Sequence, residues 1–351
     1  MSGNLQLLLW AVLVVAGIGA MQWGASRAAA ALDVVRGRAG LRGTVAGALL
    51  GIATAAPEIS VNLASVGFGW PDLGLGAALG SNVPALPLVV LLSWLSLRAA
   101  RSADGVGDTG PQPASVGAAA AEPAPPPVPL VRPAAVEVQA LPYLLVVLLL
   151  AALTLPPGWA GLQPLDGLVL TAAWGVYLAR ALLRSRKAPA APAPGAVVAG
   201  APPVGRALLG VPAIALGALA SVVAARRLGE AFGASDLVVG LFVIGLLCAL
   251  PESFAAWRLA REGKTTTAVS TAMGDGIVSL TLALVPPALV GAAVGDVALY
   301  LANLAYLVFT LLAYIALNHA RRGQALGAGR VTVFVGGYAV YLAAVAWLLA
   351  R

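Results

Sequence analysis

Charge is scarce in this sequence: Asp, Glu, Lys and Arg make up 10% of its residues, against 60% hydrophobic side chains. A water-soluble domain of 351 residues needs far more charge to cover its surface. Cysteine is nearly absent, and the single Cys248 excludes an intramolecular disulfide. The only histidine, His319, falls at the end of an apolar run. The first such run, Leu7 to Met21, lacks a basic leading region and a small-residue cleavage site, so it reads as a first span and not as a signal peptide. The net charge of +7 does not point to nucleic acid, because the basic residues lie between apolar runs and form no stripe beside aromatics.

What the sequence has in abundance is long apolar runs rich in Leu, Ala and Val. They are continuous and not alternating, so they predict membrane-spanning helices and not barrel strands. Spans are expected near 4–24, 41–67, 72–97, 140–157, 164–184, 206–229, 236–259, 266–293, 295–318 and 330–350. All Lys and Arg except Arg226, Arg227 and Arg351 fall after the odd-numbered spans. Cytoplasmic loops carry the positive excess, so both termini are expected outside, which a ten-span count satisfies. Residues 102–136 and 188–203 are rich in Ala, Pro and Gly and read as disordered cytoplasmic linkers. No room remains for a soluble regulatory domain. The expected organisation is therefore 1–101 as a first repeat, the linker 102–136, spans four and five in 137–187, the linker 188–203, and 204–351 as a second repeat.

The repeat is written in the residues. Span two reads GIATAAPEIS and span seven reads GLLCALPESF, each with Gly, then Pro-Glu: Gly51, Pro57, Glu58 and Gly245, Pro251, Glu252. Gly80 and Gly274 follow at the same distance, so one offset of 194 superposes both features. Under the charge-derived orientation, span two starts inside and span seven outside. The copies are thus inverted, the plan of transporters whose sites lie at the midplane between repeats. The fold expected is all-α, about ten transmembrane helices in two inverted-topology five-helix repeats.

Of the 14 acidic residues, only Glu58, Glu252 and Asp275 stand well inside spans. An ionised carboxylate at that depth costs on the order of 3 kcal/mol or more unless a cation, a proton or a base meets it. No Lys, Arg or His lies at matching depth, which leaves a bound metal cation or a proton. Pro57 and Pro251 lack an N–H and free the carbonyls of Ala53 and Leu247. Carbonyls beside carboxylates make an all-oxygen site suited to Na⁺ or Ca²⁺. Thr54, Cys248 and Ser279 lie one turn from Glu58, Glu252 and Asp275, and Ser81 and Asn82 follow Gly80. The bland reading of these polar residues is hydrogen bonding to their own backbone or a neighbouring helix. Gly47, Gly51, Gly76, Gly80 and Gly274 read as close-packing positions.

These residues resemble the α-repeats of the cation/Ca²⁺ exchanger superfamily, which includes the sodium/calcium exchangers. That repeat carries Gly-Thr-Ser-x-Pro-Glu and later Gly-Asn-x-x-Gly-Ser-Asn. The first copy, at 43–97, keeps Thr54, Pro57, Glu58, Gly76, Gly80, Ser81 and Asn82; the second, at 237–292, keeps Pro251, Glu252 and Gly274. Ala53, Ala55, Leu247 and Ala249 replace the family's small and hydroxyl residues, Cys248 replaces its Thr, Ala85 and Ser279 occupy two of its later ligand positions, and Asp275 stands where Ser is expected. The resemblance implies a secondary active cation antiporter of the sodium/calcium exchanger kind, working by alternating access. It also implies inorganic cations as partners and no cofactor beyond the transported Na⁺, Ca²⁺ or H⁺, while the small loops favour a bacterial inner membrane over an organelle. No obligate protein partner is evident. The lost neutral ligands leave H⁺-coupled exchange open as an alternative. An intramembrane aspartyl protease, suggested by Met273-Gly274-Asp275, lacks a second mid-span Asp, and a transport-inactive scaffold would show no cation-dependent stabilisation.

Overall fold

The computed structural model describes residues 3–38, 55–104, 139–156, 158, 160–185, 209–262, 265–319 and 328–351. Ala53, Thr54, Gly47 and Gly51, and most of the two expected linkers, lie outside them. The described chain is helical: α1 (Gly3–Arg38), α2 (Ala56–Gly67), α3 (Pro71–Asp104), α4 (Leu141–Thr154), α5 (Pro164–Ser185), α6 (Gly210–Phe232), α7 (Asp236–Arg261), α8 (Thr265–Ser279), a short α9 (Val285–Leu289), α10 (Val297–His319) and α11 (Ala328–Leu349). Among the described residues, seven candidate spans are long and apolar enough to cross a membrane.

Several spans differ from their sequence boundaries. Helix α1 continues past its apolar window to Arg38, and α3 continues to Asp104. Helix α4 is only 14 residues long. The eighth span is broken: α8 stops at Ser279, a 3₁₀ turn covers Leu282–Leu284, and α9 follows. Pro286 and Pro287 account for the break. They have no N–H for the carbonyls one turn back, yet they are well suited to the first turn of a new helix. Within α7, Gly240–Gly245 winds as a π-turn.

Helix α3 is the centre of the bundle, with Leu73, Leu75, Ala78, Leu79 and Val83 buried along it. Helices α2 and α3 form a hairpin through Phe68–Trp70, in which Asn62 packs on Gly74. Helix α3 then crosses α7 at backbone contact. Gly76 abuts Leu237 and Gly240, and Gly80 abuts Leu241, while Gly245 meets Gly80 and Ser81. Numbers rise together on both helices, so they run in the same direction. Because α2 runs against α3, the two Pro-Glu helices α2 and α7 are antiparallel, as an inverted repeat requires. Helices α1 and α6 pair antiparallel through Gly17 with Gly217 and Ser221, and Gly24 with Gly210 and Ile214. Small residues at such crossings let backbones approach, which is where packing energy comes from in lipid.

The connections at one end of the bundle tie together. Arg226 of α6 lies 4.1 Å over the Trp70 ring and 3.3 Å from Asp236. Gly161 and Ala293 form an isolated antiparallel bridge, flanked by a 2.8 Å bond from Leu162 N–H to the Ala292 carbonyl.

Candidate cation-binding site

The hairpins α2–α3 and α7–α8 bring the three mid-span acids together. Glu58 stands in the first turn of α2, Glu252 follows Pro251 in α7, and Asp275 lies on α8. One carboxylate oxygen from each lies within 4.8 Å of the others. Glu58 is 2% and Asp275 7% exposed, and Glu252 is partly buried. At that spacing each fully ionised pair repels by about 3 kcal/mol at an effective dielectric near 20. No ion pair joins any of the three to a basic residue among the described residues. Among the described residues, both oxygens of Glu58 and Oδ1 of Asp275 are buried without a hydrogen-bond partner. A cluster with this charge and these orphaned acceptors is complementary to a metal cation or to protons.

The neutral polar groups around it are mostly engaged. Ser279 donates to Asp275 Oδ2 at 3.3 Å, one helical turn away as its spacing predicts. Ser81 donates to the Ala78 carbonyl of its own helix at 3.2 Å. The Asn82 amide N–H also donates to the Ala78 carbonyl, at 2.6 Å, while Asn82 Oδ1 accepts from the Tyr143 hydroxyl at 2.6 Å. Ser81 and Asn82 thus show the bland hydrogen bonding of polar residues in membrane helices. Cys248 is buried one turn before Glu252 and within electrostatic reach of all three acids. Pro251 lies inside α7, so the Leu247 carbonyl lacks its usual partner. Ala53 and Thr54 fall outside the described residues.

Gly76 and Gly80 are at the closest backbone approach, as expected of packing glycines. Gly274 is different, for its nearest described neighbours are Gln139 Nε2 and the Tyr177 hydroxyl at 3.9 Å. Sequence reasoning missed three polar residues. Tyr143, in α4, lies within electrostatic reach of Asp275 and Glu252. Asn62, one turn after Glu58, is fully buried and donates to the Glu58 carbonyl at 2.9 Å, while its Oδ1 is unpartnered among the described residues. Its signal was visible: an amide at mid-span on the same face as Glu58. Gln139, one turn before Tyr143, has a buried Oε1 that is unpartnered among the described residues. A further freed carbonyl, Gly80, follows from Pro84 inside α3.

The family model described as sodium/calcium exchanger protein matches residues 9–183 and 203–347, nearly the whole chain and both halves. The chain belongs to the sodium/calcium exchanger family. It is similar to the inner membrane protein YrbG of Escherichia coli (strain K12), with 26% identity over 358 residues, 97% of this chain and 98% of that one. Its fold is similar to that of the sodium-calcium exchanger NCX_Mj. Soaked with 2.5 mM Na⁺ and 10 mM Sr²⁺, that structure matches with TM-score 0.58 and 19% identity, over 96% of this chain and 99% of that one. Soaked with 2.5 mM Na⁺ and 0.1 mM Ca²⁺, it matches with TM-score 0.58 and 20% identity, over 95% and 98%. This exchanger-family chain is therefore an all-α, multi-pass membrane protein. Members of its family are transporters, not enzymes, and the protease alternative is set aside.

Proposed function

We propose that this exchanger-family protein is a secondary active cation antiporter of the bacterial inner membrane, in which Glu58, Glu252 and Asp275 hold the transported ion. The observation that carries this reading is the convergence of three mid-span carboxylates, without a basic partner among the described residues, on two hairpins whose Pro-Glu helices run in opposite directions. Such a site is exposed to one side at a time when the two repeats rock against each other. Exchange follows because the empty, charged site is penalised in low dielectric and must be refilled before it reorients.

The engaged state of Ser81 and Asn82 favours a second form of the same reading, in which H⁺ takes the place of one ion. In a site built mainly of carboxylates, protons and hard cations compete for the same oxygens, whereas several simultaneous Na⁺ ions need more neutral oxygens. The test is labelled Ca²⁺ uptake into proteoliposomes against an outward Na⁺ gradient and, separately, an outward H⁺ gradient. Uptake driven by Na⁺ supports sodium/calcium exchange, and uptake driven only by H⁺ supports the proton-coupled form. Flux equal to that of the Glu58→Gln, Glu252→Gln double variant under both gradients, also with Na⁺ as the cargo, would refute the antiporter.

A further inference from the structure

Tyr143 comes from α4, a helix that contributes no acid to the carboxylate cluster. Its ring is 4% exposed, and its hydroxyl donates to Asn82 Oδ1 at 2.6 Å. The other end of the same amide is also fixed, since Asn82 Nδ2 donates to the Ala78 carbonyl at 2.6 Å. These two groups meet on the backbone of α8 next to Asp275. A Cβ on Gly276 would stand 2.5 Å from Asn82 Oδ1 and 2.6 Å from the Tyr143 hydroxyl, so only glycine leaves space for both. Three helices, α3, α4 and α8, are therefore pinned at one polar point beside the acids.

We infer that Tyr143 is a positioning residue that sets ion selectivity by competing with the bound cation for the Asn82 carbonyl oxygen. This rests on the proposed antiporter site at Glu58, Glu252 and Asp275. Asn82 is the amide adjoining Ser81 at the α3 wall of that site, and an amide oxygen is a good neutral ligand for Na⁺ or Ca²⁺. While it accepts a hydrogen bond from Tyr143 and packs on Gly276, one of its two lone pairs is taken and its orientation is fixed, so it serves the cation poorly and the carboxylates carry the binding. A carboxylate-dominated site is the one in which protons compete best with metal cations. Removal of the Tyr143 hydroxyl leaves the ring in place and releases Asn82 Oδ1 to turn toward the cation.

The experiment compares wild type with Tyr143→Phe, Asn82→Ala and the double variant, in detergent. It reads Ca²⁺- and Na⁺-dependent thermal stabilisation from pH 5.5 to 8.5, and then exchange KM and kcat in proteoliposomes. The expected result is an apparent cation affinity about fivefold higher in Tyr143→Phe, the scale of one added ligand bond. Proton competition weakens in the same variant, and both changes vanish in the double variant. Asn82→Ala alone does not gain affinity. Unchanged affinity and pH profile in Tyr143→Phe would overturn the inference. So would an equal loss of affinity in Tyr143→Phe and Asn82→Ala, which would make Asn82 a ligand that Tyr143 aims at the ion. If Tyr143→Phe does not fold, Tyr143→Gln, which retains a donor that does not titrate, gives the second reading: wild-type affinity and pH profile support the inference, and a changed profile opposes it. Failure of the antiporter reading itself is distinct, because wild type would then be no more stabilised by any cation than the Glu58→Gln, Glu252→Gln variant.

Discussion

Replacement of Gly245 by Ala tests whether the crossing of α3 and α7 sets the spacing of the acids. A Cβ on Gly245 would stand 2.6 Å from the Gly80 C and Cα atoms and 2.8 Å from Ser81 N, all of them backbone. Ordinary contact begins at 3.4 Å, so the two helices must part by about 0.8 Å, because no flexible side chain is there to yield. Overpacking on this scale costs about 1–3 kcal/mol. The displacement also reaches the site, since Glu252 lies two turns along α7 from Gly245 and Ser81 is one of the contacted residues. Ligand geometry tolerates errors of only about 0.5 Å, so cation affinity should drop by about tenfold or more. The assay is thermal unfolding of the purified protein in detergent, with and without saturating Ca²⁺ or Na⁺. Gly336→Ala on α11 is the control. Nothing lies within 4 Å of a Cβ there, and Ala improves on Gly in a helix by roughly 0.5–1 kcal/mol, so that variant should equal or exceed wild type. Gly245→Ala with the stability and cation affinity of Gly336→Ala would refute the argument that backbone contact at this crossing holds the carboxylates in register.

Other expectations concern the site and its frame. Glu58→Gln, Glu252→Gln should abolish cation-dependent stabilisation, which at a hundredfold excess over Kd amounts to about 2.7 kcal/mol in a competent site; a retained Tm shift would show that the ion binds elsewhere. Cation-dependent stabilisation should weaken as pH falls, because protons and metal compete for the same carboxylate oxygens and metal binding releases protons. A Tm shift at saturating cation that grows on acidification would contradict that sign. Arg226→Gln removes the contacts to Trp70 and Asp236 at a partly exposed position, so unfolding should show a loss of about 1 kcal/mol or less, with exchange kinetics unchanged. A larger loss, or altered KM, would mean that this end of the bundle is coupled to the site.

The repeat and the acids were legible in the sequence because each rests on a local rule. Pro-Glu inside an apolar run, found twice at one offset with a glycine following at equal distance, needs no coordinates to be seen. Buried carboxylates are rare enough in lipid that three at mid-span already mark a candidate site. For Asn82 and Ser81 the sequence offered both a ligand and a hydrogen-bonding reading, and only the structure shows the bonds they make, for spacing tells which face of a helix a residue occupies but not what it meets there. The break after Ser279 was also missed, although Pro286 and Pro287 signal it, because hydropathy runs on unchanged across it.

The sequence by itself determined that the chain spans a membrane as helices, that its halves repeat, and that Glu58, Glu252 and Asp275 need neutralisation in a medium of low dielectric. Only the tertiary structure decided that these acids meet within 4.8 Å, through a parallel α3–α7 crossing in which Gly80 and Gly245 touch. It likewise decided that Tyr143, 61 residues from Asn82, takes up the amide oxygen that the local pattern offered to the ion. The physical reason is that burial and helical periodicity are properties of a segment, whereas contact between helices depends on how their backbones pack, which no segment carries alone.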